Sequence, residues 1–375
     1  MKIIAPIQEL LQYLNVLQKG IPGKTTMEIV NGILLEVTGN SLVVNTNNLE
    51  MSIKAVIEDV EIIDGGAVVL PAKFIDILKQ LPENKVEINR EADELKVEIK
   101  SGKANFSLYG MDAEEFPRFS PRESWSGWNN INLPAGDLKK ILQRVNFAVS
   151  QEETKPLFKA VSIEIDETGN INFTATDTYR LAYYKKSFSN SQMEPGTLLV
   201  PGKTLQELSK ALENSEEEVE CFFEQKEMLF AYKGFEFSTR LIDDKYPDFN
   251  SIFPASYNTK IKVNRSVFDK LLHRASLVAQ GINNMINLEV RDKVLKVSAG
   301  SDIGKMEEEI PLEEKEGEDL EGILLNGRFL IEPLRILEED ILEIGFNGPL
   351  SPCIFNIDNE AEQYRYLVLP IKSGS

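Results

Sequence analysis

The chain has 375 residues, 42% of them hydrophobic and 27% charged, with 60 acidic side chains against 41 Lys and Arg and a formal net charge of −19. That is the composition of a soluble globular protein with length for two or three domains, and no apolar run nears the roughly 20 residues that span a bilayer. The start, MKIIAPIQELLQYL, lacks the pattern of a secretory leader, and Cys221 and Cys353 fall in separate apolar strand patterns, so buried free thiols in the cytoplasm are expected.

Taken in order, the chain opens with a helix-period segment over residues 6–19, whose apolar face holds Leu10, Leu11, Leu14 and Leu17. Strand patterns follow from Ile33, Leu42 and Met51, then a second helical window at 71–82, then strands from Val86, Leu95 and Asn105. The tract SPRESWSGWNN, from Ser120 to Asn130, reads as a linker because it joins Pro and Gly to polar residues.

The plan then repeats. VVLPAKFIDILKQL at Val68 returns as LLVPGKTLQELSKAL at Leu198 and as ILLNGRFLIEPLRIL at Ile323, so Pro71, Pro201 and Asn326 recur at intervals of 130 and 125 residues. PIQELL at Pro6, PAGDLKKILQRV at Pro134 and NRSVFDKLLHRA at Asn264 keep nearly the same period, as do EFPRF at Glu115 and KYPDF at Lys245. A period of this length is a domain rather than a solenoid unit. Three tandem α+β copies are expected, at 1–125, 126–254 and 255–375, each with two helices and the rest in one-side-wet strands. In the third copy, EEKEGEDLEG from Glu313 reads as an exposed loop.

Catalytic constellations are missing. The single histidine, His273, lies within a basic helix pattern, and PGKT at Pro201 lacks the upstream Gly of a phosphate loop. The adjacent Asp243 and Asp244 would point to opposite faces of a strand, so no metal site and no cofactor are expected. Acidic net charge argues against nucleic acid until its distribution is examined. The six helical windows are neutral or positive while the remainder carries the excess acid. Lys140 and Arg144 lie one helical turn apart, and Lys270 and Arg274 repeat them 130 residues later. Lys203 with Lys210, and Arg328 with Arg335, are each seven apart on one helix face. A recurring basic stripe of this kind holds phosphates without reading bases.

GKTTMEIVNGILLEV from Gly23, FTATDTYRLA from Phe173, YPDFNSIFP from Tyr246 and the terminal YLVLPIK resemble the bacterial sliding clamps, the beta subunits of DNA polymerase III, over essentially the whole chain. The resemblance implies a DNA-clamp fold with antiparallel sheets outside and helices lining the inner face of a ring. It implies a head-to-tail homodimer around duplex DNA, a non-catalytic processivity factor that tethers the polymerase. Its partners would be the DNA polymerase III alpha subunit, the clamp loader and other proteins with a clamp-binding motif, such as repair polymerases, ligase and mismatch-repair proteins, with no membrane. An interaction scaffold of the same fold that does not encircle DNA is the alternative.

Carried over by residue, the resemblance implies DNA contacts at Lys24, Lys73, Lys140, Arg144, Lys203, Lys210, Lys270, Arg274 and Arg328. A groove for an apolar partner peptide would use Lys155, Phe158, Thr176, Thr178, Tyr179, Arg180, Leu181, Pro247, Ser251 and Ile252. Asn326, Phe329, Leu350, Pro352, Leu367, Val368, Leu369, Pro370 and Ile371 would complete it. The dimer contact would use Phe106 and Leu108 with Leu277 and Val278. Three positions depart from the family's pattern: Glu28 stands where Pro is frequent, Lys155 where Arg is usual, and Tyr179 where His is common. Lys155 keeps the charge but loses the bidentate fork.

Overall fold

The computed structural model describes residues 1–91, 94–119, 122–188, 195–224, 226–279, 284–358 and 362–372. Among the described residues there are six α-helices: α1 Ile7–Leu17, α2 Lys73–Leu78, α3 Ala135–Asn146, α4 Gly202–Ala211, α5 Arg265–Val278 and α6 Gly327–Leu334. Each falls in one of the six periodic windows, two per copy. In α1 the buried residues are Ile7, Leu10, Leu14 and Leu17, spaced as one face of a 3.6-residue helix. The interchange of Pro and Asn at helix starts has a physical basis. Pro6 presets an extended φ of −66° ahead of α1, whereas the side chains of Asn264 and Asn326 accept from Val267 N and Arg328 N to cap α5 and α6.

The strands pair antiparallel throughout and pack as two compact units, one of residues 1–137 with 207–241 and the other of 138–206 with 242–375. The first unit holds a five-stranded sheet in the order Glu61–Asp64, Lys2–Pro6, Lys85–Arg90, Lys96–Ser101, Ala104–Tyr109. It also holds an eight-stranded sheet, in which Phe235–Arg240 of the second copy pairs with Met51–Ile57 of the first. The second unit holds a nine-stranded sheet, in which Arg180–Ser187 pairs with Glu362–Val368 of the third copy. Its four-stranded sheet runs Gly304–Pro311, Val294–Ser301, Met285–Arg291, Leu320–Asn326. Sequence copies and packing units are thus different divisions, because two sheets run across copy boundaries.

Two segments differ from the sequence reading. Within the Ser120–Asn130 tract, which includes positions outside the described residues, Arg122–Gly127 forms a 3-10 turn and Asn129–Pro134 a strand. Trp125 there is buried against Leu229 and Ala231, with Trp128 and Phe222 alongside. A linker composition was outweighed by the area two tryptophans bury. The acid-rich loop from Glu313 contains an edge strand, Glu314–Gly317, paired with Thr259–Asn264. Opposed charges hold it there: Lys262 Nζ lies 2.5 Å from Glu314 and Lys260 Nζ 3.5 Å from Glu316. Both cysteines are free and buried, where loss of solvent pushes their thiol pKa values well up.

Candidate functional site

The groove positions from the second and third copies meet in the second unit, at the end of the nine-stranded sheet where Asn170–Thr176 turns into Arg180–Ser187. The turn is built from its own side chains. Asp177 Oδ1 accepts from Tyr179 N at 3.0 Å and Arg180 N at 3.1 Å, while Thr176 Oγ1 accepts from Thr178 N and donates to Arg180 O at 2.6 Å. These bonds hold Thr178 at a φ of 80°, a left-handed value that a β-branched residue adopts only under constraint. The result is that Tyr179 projects with 54% of its surface exposed.

Arg180 organises what lies behind the turn. Its guanidinium, 6% exposed, pairs with Asp177 Oδ2 at 2.9 Å and with Glu332 of α6, and donates to the Phe147 carbonyl at 2.9 Å. It lies 4.4 Å from the centre of the Phe329 ring and 5.4 Å from that of Phe147. Tyr366 donates to the Phe329 carbonyl at 2.9 Å, so strand and helix are tied around one cation. Burial raises the pKa of Glu332, but the hydrogen bonds from Arg180 and Arg328 outweigh it and the net shift is down.

Sheet register brings the C-terminal segment to the same place. Arg180 pairs with Val368, so Leu369 follows beside Tyr179 and its N–H donates to the Tyr179 carbonyl at 2.9 Å. Cys353 also pairs with Val368, which sends Pro352 and Leu369 off one sheet end. Ile371 N donates to Leu324 O at 2.8 Å, and Asn326, at the far end of that strand, caps α6. Lys155 reaches the turn from its other side, donating to Thr178 Oγ1 at 3.1 Å with its ammonium 5.0 Å from the Tyr179 ring centre. Phe158 packs edge-on to Tyr246, centroids 5.9 Å apart, and Tyr246 in turn meets Phe249.

The groove positions divide by depth. Thr176, Arg180, Leu181, Leu367 and Val368 are buried, with Leu181 and Leu367 packed against Ile354 and Phe249. Leu350 at 77%, Tyr179, Leu369 and Ile252 expose apolar surface, Pro247, Ser251 and Thr178 are exposed as well, and Pro352, Pro370 and Ile371 are half-buried.

The basic positions divide too, and here one expectation is overturned. Arg144 is not on an open stripe: its side chain is 1% exposed, with Nη2 2.5 Å from Glu339 Oε1 and Nη1 3.7 Å from Glu362 Oε1. The guanidinium lies between the Tyr184 and Tyr364 rings, 5.9 and 5.6 Å from their centres. Two acids and two aromatic faces from segments distant in the chain pull it inward, which one-turn spacing from Lys140 does not reveal. Lys140 itself donates to both oxygens of Glu362, at 2.8 and 3.0 Å. Lys73, Lys210, Arg274 and Arg328 reach solvent but pair with Asp76, Glu207, Glu308 and Glu332. Lys24, Lys203 and Lys270 are exposed with no acid in salt-bridge reach among the described residues. Sequence reasoning missed Glu308, Glu339 and Glu362, whose partners lie far off in the chain. The Arg328–Glu332 and Glu207–Lys210 pairs were readable from their i,i+4 and i,i+3 spacing.

At the proposed dimer positions, Ala104–Tyr109 is an edge strand of the five-stranded sheet, with Phe106 39% and Tyr109 79% exposed and Leu108 half-buried. Leu277, 67% exposed, and Val278 end α5, and Arg274 of that helix pairs with Glu308 on Gly304–Pro311, itself an edge strand.

Three family models cover the chain in sequence: the N-terminal domain of the DNA polymerase III beta subunit over residues 1–120, its central domain over 132–248 and its C-terminal domain over 250–372. The chain therefore belongs to the DNA polymerase III beta subunit family, with three tandem clamp domains. It is 33% identical over 373 residues to the beta sliding clamp of Staphylococcus epidermidis, covering 97% of each chain. It is also 33% identical to the Staphylococcus aureus beta sliding clamp over 370 residues, covering 96% of each. The Bacillus subtilis DNA polymerase sliding clamp superposes with a TM-score of 0.93 at 31% identity, covering 100% of this chain and 99% of that one. The beta subunit from Streptococcus pyogenes gives 0.92 at 26% identity, covering 100% of both. The protein is thus a non-catalytic processivity clamp for a DNA polymerase. Among the described residues, no helix is long and apolar enough to cross a membrane.

Proposed function

We propose that two copies of this chain close head to tail into a ring of six similar domains that encircles duplex DNA in the bacterial cytoplasm. Sheets face outward and helices inward in this reading, and Lys24, Lys203 and Lys270 lead the contacts to phosphate, joined by Lys73, Lys140, Lys210, Arg274 and Arg328 where phosphate competes with their carboxylate partners. The observation that carries the reading is a pair of unfilled sheet edges. Ala104–Tyr109 offers Phe106 and Leu108 next to a strand bearing Lys96 and Lys100; Gly304–Pro311 offers Glu307 and Glu309 beside Leu277 and Val278. Apolar, oppositely charged edges need a partner, and a second copy supplies both at once.

The groove around Tyr179, Leu369 and Leu350 then takes a short apolar peptide from the DNA polymerase III alpha subunit, the clamp loader, or repair polymerases, ligase and mismatch-repair proteins. Tethering through it raises the polymerase's effective concentration at the primer end, and weak phosphate contacts permit sliding. The test is retention after loading on nicked circular and on linearised duplex DNA, with the mass in solution measured alongside. A dimer held on circles and lost from linear DNA is expected. Equal loss from both, or a stable monomer, favours the non-encircling scaffold instead.

A further inference from the structure

Away from the groove, the second unit contains a cavity of about 560 Å³ over the nine-stranded sheet, within the size range of small-molecule clefts. Its floor is one cross-strand row. Lys262 pairs with Glu343, Glu343 with Asn356, and Asn356 with Arg365, so four polar side chains stand abreast on adjacent strands. Tyr257 forms a wall. Its ring lies against Gly345, where an added Cβ would come within 2.4 Å of it, and its hydroxyl donates to Asn356 Oδ1 at 3.0 Å.

That arrangement leaves two donors buried without a hydrogen-bond partner, Asn356 Nδ2 and Arg365 Nε. They belong to paired neighbours, Asn356 and Arg365, and both residues line the cavity. The other contacts of Arg365 do not engage Nε: Nη2 lies 3.5 Å from Asp358 and the guanidinium carbon 5.4 Å from the centre of the Phe253 ring. A buried donor left unmade is costly, and two side by side, one on a guanidinium, match a carboxylate that accepts from both. The rest of the lining points to a cation. Lys262 is already held by Glu314 at 2.5 Å, whereas Glu343 reaches Lys260 only at 3.7 Å, and Asp358 Oδ2 lies 3.5 Å from Arg365 and accepts from the neutral Gln363 amide at 3.3 Å. Ile341, 42% exposed, adds an apolar contact.

We propose that this cavity binds a small zwitterion of peptide size, its carboxylate on Arg365 Nε and Asn356 Nδ2 and its ammonium between Glu343 and Asp358. The site is separate from the partner groove and does not depend on the clamp reading. The test titrates the full-length protein with trialanine, trialanine amide and N-acetyl-trialanine, following the Arg365 Nε–H and Asn356 side-chain amide signals by NMR. Trialanine is expected to shift both at millimolar concentration. The amide, which lacks the carboxylate, and the acetyl form, which lacks the ammonium, should each bind at least tenfold more weakly. Arg365→Lys, which keeps charge and loses Nε, should weaken trialanine by a similar factor. Equal shifts from all three peptides, or none while both N–H groups exchange freely with solvent, would mean that only water fills the cavity and overturn the proposal.

Discussion

Arg144 and Arg180 stand in contrast to Lys24, Lys203 and Lys270. The two arginines are 1% and 6% exposed in boxes of carboxylates and aromatic rings; the three lysines are open to solvent. Sequence spacing placed Arg144 with the lysines, in a basic stripe. Position in the packing decides instead which cations are buried in ion-pair networks and which stay open to solvent. A planar, delocalised guanidinium tolerates burial between ring faces and two acids, whereas a compact ammonium keeps its water.

Removing Arg144 is the sharpest way to break that division. Arg144→Ala leaves Glu339 and Glu362 without their buried partner, and the expected cost is about 3–5 kcal/mol of stability, read by denaturant unfolding. A variant of unchanged stability that only releases DNA faster would return Arg144 to the open stripe. Arg180→Lys comes next. It keeps the charge but cannot pair with Asp177 and Glu332, bond the Phe147 carbonyl and face Phe329 together, so affinity for an apolar clamp-binding peptide should drop about tenfold. Unaltered peptide affinity by calorimetry would show that the turn holds its shape without the fork. The triple change Lys24→Ala, Lys203→Ala, Lys270→Ala should leave unfolding within about 0.5 kcal/mol of the parent. It should flatten the log–log salt dependence of DNA binding by about 3, near one for each phosphate no longer neutralised. A slope that does not change would remove these three lysines from the DNA surface.

Much of the fold was legible because periodicity reports it directly. The two sets of repeats located the six helices of the described residues, and the patterns from Ile33, Leu42 and Met51 located strands. What sequence could not reveal were partners distant in the chain. Glu362 reaches Lys140 and Arg144 across more than 200 residues of chain, and Lys262 turns an acidic loop into an edge strand. Site legibility followed the same rule. Tyr179, Leu369 and Phe329 were named through the resemblance to the family, and the turn that presents Tyr179 is encoded locally by Thr176 and Asp177. The burial of Arg180 behind that turn depends on Glu332, 152 residues away, and only packing shows it.

The smallest effect expected tests whether that cation is shared. Glu332 accepts from both Arg180, buried behind the turn, and Arg328, exposed on α6, with Arg328 Nε at 2.5 Å. Its pKa is lowered overall because the two hydrogen bonds outweigh burial. A carboxyl whose pKa falls on folding contributes stability that is full above the unfolded value, near 4.5, and is lost as pH falls through the lower folded value. Glu332→Gln removes that titration while keeping a side-chain acceptor for one arginine. At neutral pH the variant should therefore be less stable by about 1 kcal/mol, and the two unfolding curves should converge as pH drops below 4.5. Curves that stay parallel down to acid would mean that Glu332 keeps its proton affinity unchanged on folding. In that case Arg180 would be held by Asp177 and the Phe147 carbonyl alone, and the exposed and buried cations would be independent.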